Sequence, residues 1–341
     1  MKACFFSTAE LEQINIEQYS LTDIRILKAL GFDVVIANRF AHIPWDCDLY
    51  FSWWASGSVL PMIVAKLARK PNIVVAGGNE AMFYRDSLTG VPLGYLSMPI
   101  YKKFATRLTL RLSTVVTCVS QFMFPDVVRL AGRPVLVVPN SVDTDSFFPD
   151  RNISRRYVCT CFRLDVGPTS LKRGENFLRA AALVLKKMPH EVFVIIGFKG
   201  NAYKRLAALV DELKLHNSVT FTGSIHNDKV RGWLVQSKCY VQISDTETFG
   251  VAVAEAMSTA TPVIVSRRGA LPELVGPLGI YVDHNSVESI AAGLLELLFM
   301  PLERREQLGN QLRISVVKKY RYELRLDAIR LIVQNLIKDI D

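Results

Sequence analysis

Two carboxylates eight residues apart, Glu247 and Glu255, bracket the stretch Glu-Thr-Phe-Gly-Val-Ala-Val-Ala-Glu, which runs on into Ala-Met-Ser-Thr-Ala-Thr-Pro-Val-Ile-Val. Phe249-Gly250 reads as a turn, Val251 onward as a helix of small residues, and Pro262 to Val265 as a buried parallel strand. A helix that opens after a strand presents unpaired N–H groups and the positive end of its dipole, which suits a phosphate. The carboxylates cannot serve that anion, but they accept hydrogen bonds from hydroxyls. A ligand that joins phosphate to polyol is a nucleotide sugar. Val251, Ala252, Val253, Ala254 and Ala256 make the helix apolar nearly all round, so a charge at Glu255 needs a partner.

Arg163 follows an apolar run at 157–162, and Lys172 comes nine residues later, ahead of Gly174 and a helical pattern. Two cations on one loop at a strand's carboxyl end can clamp a diphosphate, Arg with a planar fork and Lys with a mobile point charge. The acidic pair Asp46-x-Asp48 imitates a metal-binding spacing, but it precedes a strand and reads as turn chemistry.

The elements that must position these groups alternate along the whole chain. Strands are predicted near 2–7, 33–37, 48–52, 72–76, 114–119 and 135–138, with helices about 20–30, 57–69, 99–113 and 121–131. A turn-rich connector at 139–150 breaks the rhythm. A second alternation follows, with strands near 157–162, 191–196, 218–222, 239–243, 262–266 and 279–282. Helices about 175–187, 201–214, 227–236 and 250–259 separate them, and from Val287 the tail is helical, its last pattern running from Tyr322 to Lys338. Two α/β units in tandem should leave a cleft, with ligands beyond the carboxyl ends of the strands.

The second half resembles the retaining GT-B glycosyltransferases of glycosyltransferase family 4. The residues that carry the likeness are Cys161-Phe162-Arg163-Leu164, Lys172-Arg173-Gly174, Glu247-Thr248-Phe249-Gly250, Glu255-Ala256-Met257 and Thr261-Pro262-Val263. Gly269 with Pro272-Glu273-Leu274-Val275 follows more loosely, and Asn140-Ser141-Val142-Asp143 is similar to a hinge signature of that family. The resemblance implies a GT-B fold: an acceptor-side domain over 1–145, a donor domain over 146–320, and a segment 321–341 whose helix returns to the first domain. It implies that Arg163, Lys172 and Glu247 are catalytic, the cations on the diphosphate and Glu247 on the transferred sugar. Glu255 would accept from ribose hydroxyls, Phe249, Gly250 and Val251 would border the donor, and Gly223 and Ser224 would lie against the nucleobase. No metal or other cofactor is implied beyond the donor itself.

The first half departs from the family pattern. Where a glycine pair is common after the first strand, this chain reads Ser7-Thr8-Ala9-Glu10, and Gly77-Gly78-Asn79-Glu80 follows the strand at 72–76. Asn79 and Glu80 are acceptor-side candidates. Trp53 and Trp54 end another strand, where they could stack on a sugar or pack beneath the loop. Gly167 to Ser170 lengthens the Arg163 loop, and Ala260 stands where glycine is frequent.

The 341 residues carry a formal charge of +9, and residues 62–133 hold ten Lys/Arg against three acids. No nucleic-acid-binding signature accompanies that excess. Within it, residues 100–112 place Lys103, Arg107 and Arg111 on one stripe, with Tyr101, Phe104, Leu108 and Leu112 nearby. Such a helix can lie on an anionic leaflet or pack into a core with a wet edge. The six cysteines are scattered and read as buried thiols; the five histidines stand at no motif. No run is long enough to span a bilayer and the N-terminus reads as a strand, so a cytoplasmic place, peripheral on the membrane face, is expected. The expected activity is transfer of a hexosyl unit from a nucleotide sugar to a glycan or lipid-linked acceptor in cell-surface polysaccharide or glycolipid synthesis. The alternatives are a sugar-nucleotide-binding regulator without turnover and a GT-B epimerase or phosphorylase.

Overall fold

A computed structural model of the chain describes residues 1–14, 17–150 and 152–338. Of the terminal segment 321–341, the last three residues lie outside the described ones. The chain divides into two compact units: Met1–Ser141 together with the C-terminal helix Tyr322–Lys338, and Val142–Arg321.

In the first unit, β1 (Lys2–Phe6), β2 (Asp33–Ala37), β3 (Leu49–Trp53) and β4 (Asn72–Ala76) pair in parallel. The short strands β5 (Phe83–Arg85) and β6 (Pro92–Gly94) form a separate antiparallel ribbon, while β7 (Val115–Cys118) and β8 (Leu136–Val137) complete a six-stranded sheet of order β2-β1-β3-β4-β7-β8. Every residue of β3 and β4 is buried, as expected when helices cover both faces of a parallel sheet, so these strands are continuous rather than alternating apolar runs.

The second unit repeats the plan. Its strands are β9 (Tyr157–Cys161), β10 (Val192–Ile196), β11 (Val219–Gly223), β12 (Ser237–Gln242), β13 (Val263–Ser266) and β14 (Ile280–Val282). All pair in parallel, in the order β11-β10-β9-β12-β13-β14. The order reverses between β9 and β12, and their carboxyl ends therefore diverge into loops of opposite sense, where an open α/β sheet takes its ligands. Arg155 closes the opposite end. Its guanidinium donates to Ser237 O at 2.7 Å, Thr261 Oγ1 at 2.9 Å and Ala260 O at 2.9 Å. Ala260 holds a left-handed φ of 55°, a conformation that costs a side chain energy and glycine almost none, which accounts for the glycine expected there.

The helix Tyr322–Lys338 belongs to the first unit, and one buried group shows how it is held. Arg325 Nε and Nη2 each lie 2.7 Å from the Asp23 carboxylate, and Arg325 Nη1 reaches the carbonyls of Val138 and Pro139 at 2.9 and 2.8 Å. The Trp53 indole N–H donates to the same carboxylate at 2.8 Å. Trp53, 1% exposed, is thus a core residue whose polar atom is satisfied within the unit, not a surface platform.

The cysteines are free, and all but the half-buried Cys161 are buried. Burial pushes the thiols of Cys4 and Cys159 up to about 12. Among the described residues no helix is long and apolar enough to cross a membrane.

Removing one partner of a buried ion pair strands a charge, a loss of about 3–5 kcal/mol. Arg325→Met should therefore destabilise the first unit by that amount in urea unfolding followed by tryptophan fluorescence. A loss below about 1 kcal/mol would show that the pair does not hold the helix.

Candidate functional site

The Arg163 loop is not extended. Val166–Leu171 forms a short helix, with Lys172 at its carboxyl end and Arg173 in a left-handed conformation (φ 51°) before the next helix, Gly174–Leu185. Gly167 and Pro168 suggest a loop, but proline is well tolerated in a first helical turn, where its missing N–H has no partner to lose.

At the end of that helix the Lys172 ammonium meets the Glu247 carboxylate, both largely buried. Glu247 lies on the loop after β12, so two groups 75 residues apart in sequence converge at the strand ends flanking the topological switch. Glu247 Oε1 also accepts from Ser244 Oγ at 2.7 Å and Gln242 Nε2 at 3.0 Å. Gly269, with φ of 60°, lets a second backbone approach: a Cβ there would stand 2.3 Å from the Glu247 nitrogen. Next to it, the Ala270 N–H donates to Glu247 O at 2.8 Å.

Asp245 ties these loops together. Its carboxylate is fully buried and lies 2.9 Å from His284 Nε2, with Arg173 Nη2 and Arg268 Nη2 each at 3.6 Å. Its backbone N–H donates to Leu171 O at 2.8 Å, one residue before Lys172.

Glu255 sits on the helix Val251–Ser258, 6% exposed, and among the described residues no hydrogen bond or ion pair reaches its carboxylate. Burial pushes its pKa up to about 8. Its helix packs on β12 and β13, and Cys161 at the end of β9 and Tyr240 within β12 both feel its charge. Gly250 opens that helix with φ of 99°, and the Phe249 ring is buried edge-on against Tyr320 at 5.2 Å, leaving backbone rather than ring for a ligand. Val251 is the first helical residue and half-buried.

Arg163 is more exposed, at 54%, and is held by Asp165 at 3.0 Å with its guanidinium 5.5 Å from the Phe198 ring centre. It follows β9 but makes no bond to Lys172 or Glu247. Gly223 ends the edge strand β11 and exposed Ser224 follows it, with β10 between them and β9; neither forms a side-chain bond to the Lys172–Glu247 pair.

The remaining candidates gather in the first unit. Gly77 and Gly78 lie beneath the indoles: a Cβ at Gly77 would stand 2.2 Å from the Trp53 ring, and one at Gly78 2.5 Å from that of Trp54. Trp54 adopts a left-handed φ of 70°, and Glu80 Oε1 accepts from the Ala55 N–H at 3.1 Å. Burial pushes Glu80 up to about 7, while half-buried Asn79 opens a single turn beside it. The Asp46 and Asp48 carboxylates are engaged by Lys2 at 2.7 Å and Lys70 at 3.1 Å.

Sequence reasoning passed over Asp245, Arg173 and His284, whose partners are far apart along the chain. It also passed over Gln242, although an amide inside the apolar run Cys-Tyr-Val-Gln-Ile is a visible signal of a buried polar task.

Residues 169–314 match the family described as glycosyl transferases group 1. A human phosphatidylinositol N-acetylglucosaminyltransferase subunit is 30% identical over 175 residues, which cover 51% of this chain and 36% of the human protein. The match thus spans little more than a third of that relative's length. Sulfoquinovosyl transferase SQD2 of Arabidopsis thaliana is 23% identical over 356 residues, covering 90% of this chain and 68% of its own. The solved structure of Anabaena Alr3699/HepE in complex with UDP and glucose is similar with a TM-score of 0.80 at 15% identity, covering 98% of this chain and 99% of that one. That likeness establishes the GT-B fold.

Glu255 supplies a test that needs no ligand. Between its ordinary value of 4.5 and about 8, the folded form holds a proton that the unfolded form has released. Stability must therefore fall as pH rises through that window, by an amount on the order of 5 kcal/mol. Glu255→Gln should flatten the melting-temperature profile between about pH 5 and 8, and an unchanged slope would refute the assignment.

Proposed function

We propose that the chain, whose residues 169–314 match the group 1 glycosyl transferases and whose fold is GT-B, moves a hexosyl unit from a nucleoside-diphosphate sugar to a glycan or lipid-linked acceptor. Transfer retains anomeric configuration and needs no metal cofactor. The observation that carries this reading is the meeting of Lys172 and Glu247 at the switch-point strand ends, beside a buried carboxylate, Glu255, that has no partner among the described residues.

Each group has a task in that reaction. Lys172, with Arg163, faces the diphosphate and offsets the negative charge that grows as the glycosidic bond to phosphate breaks. Glu247 accepts from hydroxyls of the sugar. Glu255 accepts from the ribose, whose hydroxyls supply the hydrogen bonds that its ionised form lacks. Uridine is the first nucleoside to try, because the Anabaena structure holds UDP with glucose.

The acceptor side of the proposal is a membrane surface at the cytosolic face. On the helix Ile100–Leu112 the buried residues are Thr106, Thr109 and Leu110. Ile100, Tyr101 and Phe104 point outward, 85%, 68% and 67% exposed, among the exposed cations Lys102, Arg107 and Arg111. A cationic helix with protruding aromatics suits an anionic leaflet, and a lipid-linked acceptor would be met there. The human and Arabidopsis relatives have lipid-related or sugar-transfer names of their own, and neither fixes the acceptor here.

Thermal-shift screening of UDP- and GDP-linked hexoses identifies the donor. With it, Lys172→Ala should lower turnover by about 10²-fold or more, whereas Glu255→Ala should chiefly weaken donor binding. Near-native turnover and affinity in both variants would sink the assignment. Vesicle flotation should show binding to phosphatidylglycerol-rich but not neutral liposomes, lost in a Tyr101→Ser/Phe104→Ser variant; absence from both kinds of vesicle would remove the membrane proposal.

A further inference from the structure

Beneath Glu247 lies a chain of buried polar side chains that the reaction above leaves without a role. Tyr240 O–H donates to Gln242 Oε1 at 2.6 Å, and Gln242 Nε2 donates to Ser244 Oγ at 2.7 Å and Glu247 Oε1 at 3.0 Å. Ser244 Oγ donates to the same Oε1 at 2.7 Å. Tyr240 and Gln242 stand two apart on β12, so the pleat turns both to one side; Ser244 follows just past the end of the strand, and all three are buried.

This arrangement has a polarity. A primary amide accepts at one end and donates at the other. With the phenol donating to Oε1, the Gln242 NH₂ must face Ser244 and Glu247; reversal would set amide oxygen against carboxylate oxygen. Burial keeps the Tyr240 phenol protonated, its pKa raised well above the usual range and lifted further by the nearby carboxylates. Lys172, Gln242 and Ser244 all bond Oε1, so Oε2 is the oxygen that an incoming hydroxyl can use.

We propose that Tyr240, Gln242 and Ser244 are positioning residues that lock the Glu247 carboxylate with Oε2 presented to the donor sugar, an inference that rests on the reading of Glu247 as the sugar-binding group. Their need arises when the donor binds. A diphosphate that draws the Lys172 charge to itself leaves Glu247 a largely buried carboxylate short of its counter-ion. Two neutral donors then hold it in place, and hydrogen bonds to an ionised acceptor are among the stronger ones.

Tyr240→Phe keeps the ring and deletes the donor that orients the amide; Ser244→Ala deletes a direct donor. In the full chain, each should lower kcat with UDP-glucose, or with GDP-mannose if that is the donor, about tenfold or more. Affinity for UDP or GDP alone, which has no sugar for Glu247 to hold, should stay within about twofold, and melting temperature should stay near that of the wild type. Because the residues act in one network, the double variant should lose less than the product of the single losses. Losses that multiply, or that track nucleotide affinity and melting temperature, would overturn the proposal in favour of packing alone. A wild-type chain inert toward both donors would instead overturn the reading of Glu247 itself, and the positioning role with it.

Discussion

Asp245 has no access to water, and a buried carboxylate persists only where donors and cations surround it. Those around it come from three separate loops: Arg173 after the short helix Val166–Leu171, Arg268 after β13, and His284 after β14. Each loop is therefore held at one point, and the points coincide. Lys172 is adjacent to Arg173, and Glu247 is two residues beyond Asp245, so the two groups that meet at the strand ends are each tied through a near neighbour in sequence to one ionic centre. Loss of one cation would leave the carboxylate undercompensated and free every loop at once, which is why such a centre rigidifies more than its individual contacts suggest.

The first unit uses the same device in a simpler form. Asp23 gathers the Trp53 indole and the Arg325 guanidinium, and through Arg325 it also reaches the carbonyls of Val138 and Pro139. The tryptophan packs against Gly77, its neighbour Trp54 holds a left-handed conformation against Gly78, and Glu80 accepts from the Ala55 N–H. A Cβ at Gly77 would strike the Trp53 indole, and one at Gly78 would strike both Glu80 and the Trp54 indole. The strained Trp54 backbone is the kind of feature that surrounding structure must over-determine, and its ring is held edge-on to Tyr19 and against Trp53.

Much of this was legible from residue order. The central strands of the two large sheets follow from continuous apolar runs, because helices on both faces make nearly every position there a core position. The ribbon of Phe83–Arg85 and Pro92–Gly94 was not, since its strands are three residues long and partly exposed, with Pro and Gly in place of β-formers. In the site, Glu255 stands out because a charge in an apolar setting is locally visible, and Lys172 and Glu247 stand out through the motifs that carry the family resemblance. Asp245 and Asp23 do not, because what defines them is a partner 39 or 302 residues away. Trp53 illustrates the same gap: a strand-end aromatic has one local pattern whether it faces water or core.

The distribution of sulfur has a practical corollary. Cys4, Cys47 and Cys118 belong to one unit and Cys159, Cys161 and Cys239 to the other; five of the six are shut away from solvent, and burial makes the thiols of Cys4, Cys47, Cys159 and Cys239 resist ionisation. An alkylating reagent can reach those five only when the surrounding sheet opens. Peptide-resolved labelling rates would then read the breathing of each half separately, and the chain carries that pair of internal gauges in its native composition.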